Sequence, residues 1–177
     1  AWFSFNKTIY GITNIMERYG LLNRFVRYYD EKKIDMPSDY LIGATPTQGR
    51  VGAIQCERFE EILTNRLKIA AYYNENLQGV GDLVLPLFQE GATYSHYVPQ
   101  TKYRDAIMKH ALQRGVQIGQ VIEYCIPEMP VYKDRSGCRF NYPVASRLAK
   151  ETINLPVSLG GSIEKASQVV SALKSFF

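Results

Sequence analysis

The chain has 177 residues, 46% of them apolar and 21% charged, a net charge of +4, and cysteine only at Cys56, Cys125 and Cys138. That much apolar surface offsets the entropy of ordering and excludes a disordered chain, while three dispersed cysteines exclude a disulfide-stapled mini-protein. The basic residues are scattered, with Asp30 and Glu31 inside the densest stretch, so no nucleic-acid footprint is expected, and no apolar run approaches the ~20 residues of a membrane span.

In chain order, Ile9, Ile12, Ile15, Met16 and Tyr19, then Leu22, Phe25, Val26 and Tyr29, recur three or four residues apart. That spacing predicts helix over residues 9–33, divided at Gly20. Pro37 breaks it, and a loop over residues 43–49 holds Pro46 and two candidate caps, Thr45 and Thr47. Residues 50–77 read as one long helix with an apolar face of Val51, Ile54, Cys56, Phe59, Ile62, Leu63, Leu67, Ala70 and Tyr73. Cys56 on that face reads as a small core residue, and Glu61 is within reach of Arg58. Gly79 and Gly81 end the helix. Its length exceeds what a small domain needs, so it is expected to connect two lobes.

The second half alternates element types. Residues 93–98 read as a strand, and 101–114 as a helix with Ile107, Met108, Ala111 and Leu112 on its apolar side, stopped by Gly115. The β-branched run 116–122 reads as a strand, and Pro127 and Pro130 force an irregular stretch. A short helix over 142–150, a strand over 152–157, and a last helix capped by Ser162 with Glu164 in its first turn complete the chain. This order predicts an α/β (α+β) fold: a long helical arm, then a small antiparallel or mixed sheet with helices on one face. The expected division is 1–80, ending with the connecting helix, and 81–177, the small lobe.

Local motifs declare no chemistry. There is no Gly-rich phosphate loop, dinucleotide fingerprint, paired CxxC or Gly-x-Ser-x-Gly elbow. The two histidines, His96 and His110, fall on different elements, so no metal site is expected, and His110 beside Lys109 reads as solvated. Unpaired thiols suit a reducing, cytoplasmic setting.

A series of segments carries a resemblance. They are Pro46-Thr47-Gln48-Gly49-Arg50-Val51-Gly52-Ala53-Ile54-Gln55, Arg66-Leu67-Lys68-Ile69-Ala70-Ala71-Tyr72-Tyr73-Asn74 (R-x-x-I-A-x-x-Y), Ser95-His96-Tyr97-Val98, Tyr103-Arg104-Asp105 and Leu112-Gln113-Arg114-Gly115-Val116. After them come Tyr124-Cys125-Ile126-Pro127, Tyr142-Pro143-Val144-Ala145-Ser146-Arg147-Leu148-Ala149 and Asn154-Leu155-Pro156-Val157. In this order they resemble the C-terminal part of the DegT/DnrJ/StrS pyridoxal-phosphate-dependent sugar aminotransferases, which have the fold-type I architecture. The resemblance implies a homodimeric, cytoplasmic enzyme that moves an amino group from an amino acid, commonly glutamate, to a keto-sugar nucleotide.

It also implies site residues. Gln48 and Arg50 match an Asn-x-Arg that reaches the neighbouring subunit's cofactor phosphate in many family members. Their other reading is local: a helix-start glutamine and a surface salt-bridge arginine. His96, with Tyr97, matches a strand near the sugar nucleotide, against the plainer reading of a satisfied strand histidine. Glu123 and Tyr124 stand where the family has His-Tyr-Pro-x-Pro, and the missing histidine puts that contact in doubt. The family's Schiff-base lysine lies upstream. Ser4-Phe5-Asn6-Lys7 echoes its motif with too short a spacing and no glycine-rich strand after it, so Lys7 reads as a helix-entry lysine and no catalytic residue is assigned. The chain, which does not begin with Met, is expected to be the downstream part of such an enzyme and not to hold pyridoxal 5'-phosphate covalently. The alternatives are a non-catalytic dimerisation or ligand-binding module derived from that fold, and an unrelated α/β binding domain.

Overall fold

The computed structural model describes residues 40–121, 123–134, 141–158 and 162–177, with Ile12, Met16, Gly20 and Leu21. Ile12 and Met16 are helical and Gly20 turns with φ +68°; the other expectations for residues 1–39, Lys7 included, lie outside the described residues, as does Cys138. The chain divides into two compact units, 1–41 and 42–177.

In the second unit, helix α1 (Pro46–Glu57) opens on a complete capping box. Thr45 Oγ1 accepts the Gln48 N–H at 3.3 Å, Gln48 Oε1 accepts the Thr45 N–H at 2.7 Å, and Pro46 occupies the position where a missing N–H costs nothing. Helix α2 (Phe59–Leu77) follows after a single non-helical residue, Arg58, at φ −96°, ψ 5°. The expected single helix over 50–77 is therefore two. The break falls where burial is lost: α1 buries no residue, whereas α2 buries Ile69, Ala70, Tyr73 and Leu77. For the same reason Cys56 is exposed rather than core. Arg58 Nε does reach Glu61 Oε2, at 3.6 Å. Gly79 and Gly81, at φ +74° and +53°, turn the chain after α2.

Helix α3 (Arg104–Gln113) ends in a Schellman motif. Gly115 takes φ +75°, its N–H donates to Leu112 O at 3.0 Å, and the Val116 N–H reaches back to Ala111 O at 2.9 Å. A 3-10 turn (Ile126–Glu128), α4 (Pro143–Glu151) and α5 (Ile163–Lys174) complete the unit. Ser162 caps α5 through the Lys165 N–H at 3.3 Å. Ser146 of α4 donates to Glu128 of the 3-10 turn, tying the two together.

Among the described residues, strand pairing consists of isolated antiparallel bridges: Val84 with Gln100, Gln100 with Thr152, Tyr97 with Leu155, and Gly119 with Asn154. The segments thus run in the spatial order 84, 97–100, 152–155, 119. Pro99 and Pro156 sit in the two middle segments and remove donors that a continuous ladder would use. The inward residues Tyr97, Ile118, Ile153, Leu155 and Val157 share one core with the buried faces of α2, α3 and α5. Alpha-helix α5 packs on both α2 and α3.

Candidate functional site

The candidate residues occupy three separate places. Gln48 and Arg50 lie in the first turns of α1, both exposed. The Gln48 amide oxygen is engaged by the Thr45 N–H and also accepts the Thr45 hydroxyl at 3.0 Å. Gln48 is thus a helix-start residue whose NH2 group has no partner among the described residues. Arg50 makes no ion pair there.

His96 and Tyr97 are neighbours that part company. Adjacent residues of an extended segment face opposite ways: His96 is exposed, with Nδ1 3.2 Å from Ser95 Oγ, while Tyr97 is 1% exposed. The Tyr97 ring lies 5.3 Å from Tyr73 and 6.4 Å from Tyr94. Burial, and secondarily the neighbouring Tyr94, push the Tyr97 phenol up to about 12. Burial, with Tyr97 beside it, also raises Tyr73, whose hydroxyl donates to Pro156 O at 2.9 Å. Neither phenol is suited to shuttle protons near neutral pH.

Glu123 and Tyr124 are exposed and precede the 3-10 turn. The bridges set Gly119 level with Val98 through Asn154 and run the segments at 97–100 and 119 parallel. Residues beyond Gly119 therefore leave toward the Gln100 end, away from His96. The described structure does not gather His96 with Glu123 and Tyr124.

Other features were not legible beforehand. The Tyr97 hydroxyl, Arg66 Nε and Asn154 Oδ1 are buried with no hydrogen-bond partner among the described residues, which is costly unless something else supplies one. His110 is half-buried rather than solvated. Its Nδ1 lies 3.2 Å from Arg114 Nη1, its Nε2 3.0 Å from Ser175 Oγ, and its ring 5.4 Å from Phe176. An arginine can only donate, so Nδ1 accepts and Nε2 carries the proton. Tyr94, at φ +43°, is the one non-glycine residue with positive φ among those described; no local composition signals it. No cluster of His, Cys, Asp and Glu suited to a metal occurs among the described residues, and no helix there is long and apolar enough to cross a membrane.

The sequence profile of the DegT/DnrJ/EryC1/StrS aminotransferase family matches residues 6–174. The chain belongs to that family. It is 28% identical over 132 residues to the erythromycin biosynthesis sensory transduction protein EryC1 of Saccharopolyspora erythraea, a match covering 72% of this chain and 36% of that one. Among solved structures it resembles DesV of S. venezuelae, with a TM-score of 0.69 and 20% identity over 89% of this chain and 43% of that one. It also resembles the sugar aminotransferase CalS13 of Micromonospora echinospora, with a TM-score of 0.61 and 22% identity over 73% and 34%. These likenesses show a shared fold, and the chain spans less than half the length of each of these proteins. The family assignment made from segment order thus holds.

Proposed function

We propose that the chain is the C-terminal part of a pyridoxal-phosphate-dependent, fold-type I sugar aminotransferase that moves an amino group from an amino acid to a keto-sugar nucleotide. The family match across residues 6–174 carries this reading, and the name of CalS13 supports the sugar. In it, α1 and α2 link two lobes and residues 81–177 form the smaller one, in a cytoplasmic homodimer. The free thiols of Cys56 and Cys125 accord with a reducing compartment.

Among the described residues, those that suit the cofactor do so as phosphate contacts. The capping box already satisfies the Gln48 N–H, and Pro46 has none, so the start of α1 offers an anion little backbone. The exposed Arg50 guanidinium and the spare Gln48 NH2 remain as outward donors, suited to a phosphate of the neighbouring subunit. When bound, the cofactor supplies the electron sink that lets an amino group change carriers. His96 faces the sugar nucleotide and offers Nε2 to a hydroxyl or phosphate, while Glu123 and Tyr124 line the acceptor from the other end. Tyr97 supports His96 from the core. In this reading the amine-bearing lysine lies upstream, where the family resemblance places it.

The test is the polypeptide that cells make from this reading frame, purified and assayed for amino transfer from L-glutamate to a panel of nucleotide-activated keto-sugars. Activity is expected, and Arg50→Ala should weaken pyridoxal phosphate binding by about tenfold, the loss of one charge-assisted contact. A native polypeptide that binds no pyridoxal phosphate and transfers no amino group would leave the non-catalytic module in its place.

A further inference from the structure

We propose that Tyr94 is a positioning residue, whose left-handed backbone holds Ser95 and His96 side by side as one polar pair. This rests on the reading that His96 faces substrate. In a regular extended segment that buries Tyr97, Ser95 would share the buried face. Here Tyr94 and Tyr97 are buried and the two residues between them are both exposed. The φ of +43° at Tyr94 produces that pattern. A bulky side chain adopts such a backbone only where its surroundings over-determine it, and such outliers concentrate at ligand sites.

Three contacts do the holding. The Tyr94 ring stacks on Phe88 at 5.2 Å with 17° between planes, and it meets Tyr97 at 6.4 Å. The Tyr94 hydroxyl accepts the Gln89 N–H at 2.8 Å. The loop that delivers Phe88 closes on itself through the Ala92 N–H to Gln89 O, 3.4 Å, with Gly91 at φ +80°. What this presents is a serine hydroxyl 3.2 Å from His96 Nδ1. A hydroxyl both donates and accepts, so Ser95 supports either ring tautomer. His96 Nε2, with no partner among the described residues, is left to meet a group that donates or accepts, such as a sugar hydroxyl. Tyr94 touches no ligand; it acts through the backbone.

Ring-nitrogen NMR of the 15N-labelled polypeptide that cells make reads both rings, with His96→Gln identifying the His96 signals and His110→Gln those of His110, the internal reference. No sugar nucleotide is needed, and failure here is therefore distinct from failure of the aminotransferase reading. Ser95→Ala should shift the His96 Nδ1 signal and leave His110 in place. Tyr94→Ala and Phe88→Ala should move His96 to the same position, and Tyr94→Phe, which keeps the stacked ring and loses only the bond from the Gln89 N–H, should move it part of the way. If His110 also moves in Tyr94→Ala, the fold has been disturbed and Phe88→Ala, which removes a ring already 44% exposed, decides. Wild-type His96 signals in Phe88→Ala, or in Ser95→Ala, overturn the proposal.

Discussion

Helix α1 runs for 12 residues without burying one, whereas α2, joined to it at Arg58, buries Ile69, Ala70, Tyr73 and Leu77. Both carry apolar residues at helical spacing, and in α1 Val51 and Ile54 are 54% and 52% exposed. Periodicity declares a face and says nothing of a partner. The partner of α2 is α5, brought back by the whole length of the chain between them. In α1 the order comes from local devices: Pro46, the Thr45–Gln48 capping box and the i to i+4 ladder. Isolated helices of this length are marginal, so the capping chemistry stabilises α1 where packing stabilises α2.

The sharpest way to break that comparison is truncation on each side of it. Leu173 on α5 is fully buried in the shared core, and Leu173→Ala should cost ~2–5 kcal/mol in urea unfolding. Ile54→Ala on α1 should stay within ~0.5 kcal/mol. A loss of core size at Ile54 would mean that α1 is packed in solution.

A second, smaller effect distinguishes the two buried phenols. Tyr97 is neutral when protonated, and its folded value of about 12 lies above the ordinary 10. The stability this represents is fully present below pH 10 and is lost as pH rises through 12. Tyr73 shifts in the same direction. Tyr97→Phe should therefore flatten the alkaline loss by about 2 kcal/mol between pH 9 and 12, read from urea midpoints. Near pH 8 the same change should stabilise by about 1 kcal/mol or more, because the buried hydroxyl removed has no partner among the described residues and its desolvation cost goes with it. Tyr73→Phe deletes the donor to Pro156 O and should instead destabilise at pH 8 by about 1 kcal/mol.

What could be read beforehand follows the range of the forces involved. Ser162 at the start of α5, Gly115 after α3 and the buried Ile107 and Ala111 were all legible, because caps and helical faces are set within a few residues. Family membership was legible too, from the order of segments rather than from any one motif. The break at Arg58, the exposure of Cys56 and the engagement of His110 depend on which distant residues arrive, and α1 meets too few of them. Strands expected over 93–98, 116–122 and 152–157 appear as single bridges because Pro99 and Pro156 interrupt the donors. At the candidate site, the family resemblance pointed to His96 but not to Tyr94, whose ring meets Phe88, six residues away.

The smallest expected effect tests α1 most directly. Thr45→Ala removes the acceptor for the Gln48 N–H and loosens the reciprocal bond from Gln48 to the Thr45 N–H. In a helix coupled to the core, losing such a cap costs ~0.5–2 kcal/mol of global stability. Because α1 buries nothing, the cost should remain local. The urea midpoint should barely move, while amide exchange over residues 48–57 speeds up by about 2- to 30-fold, the same free energy read as an opening constant. Exchange that accelerates equally in α2 would show the two helices melting as one across Arg58, and the contrast between them would then be one of exposure rather than of coupling.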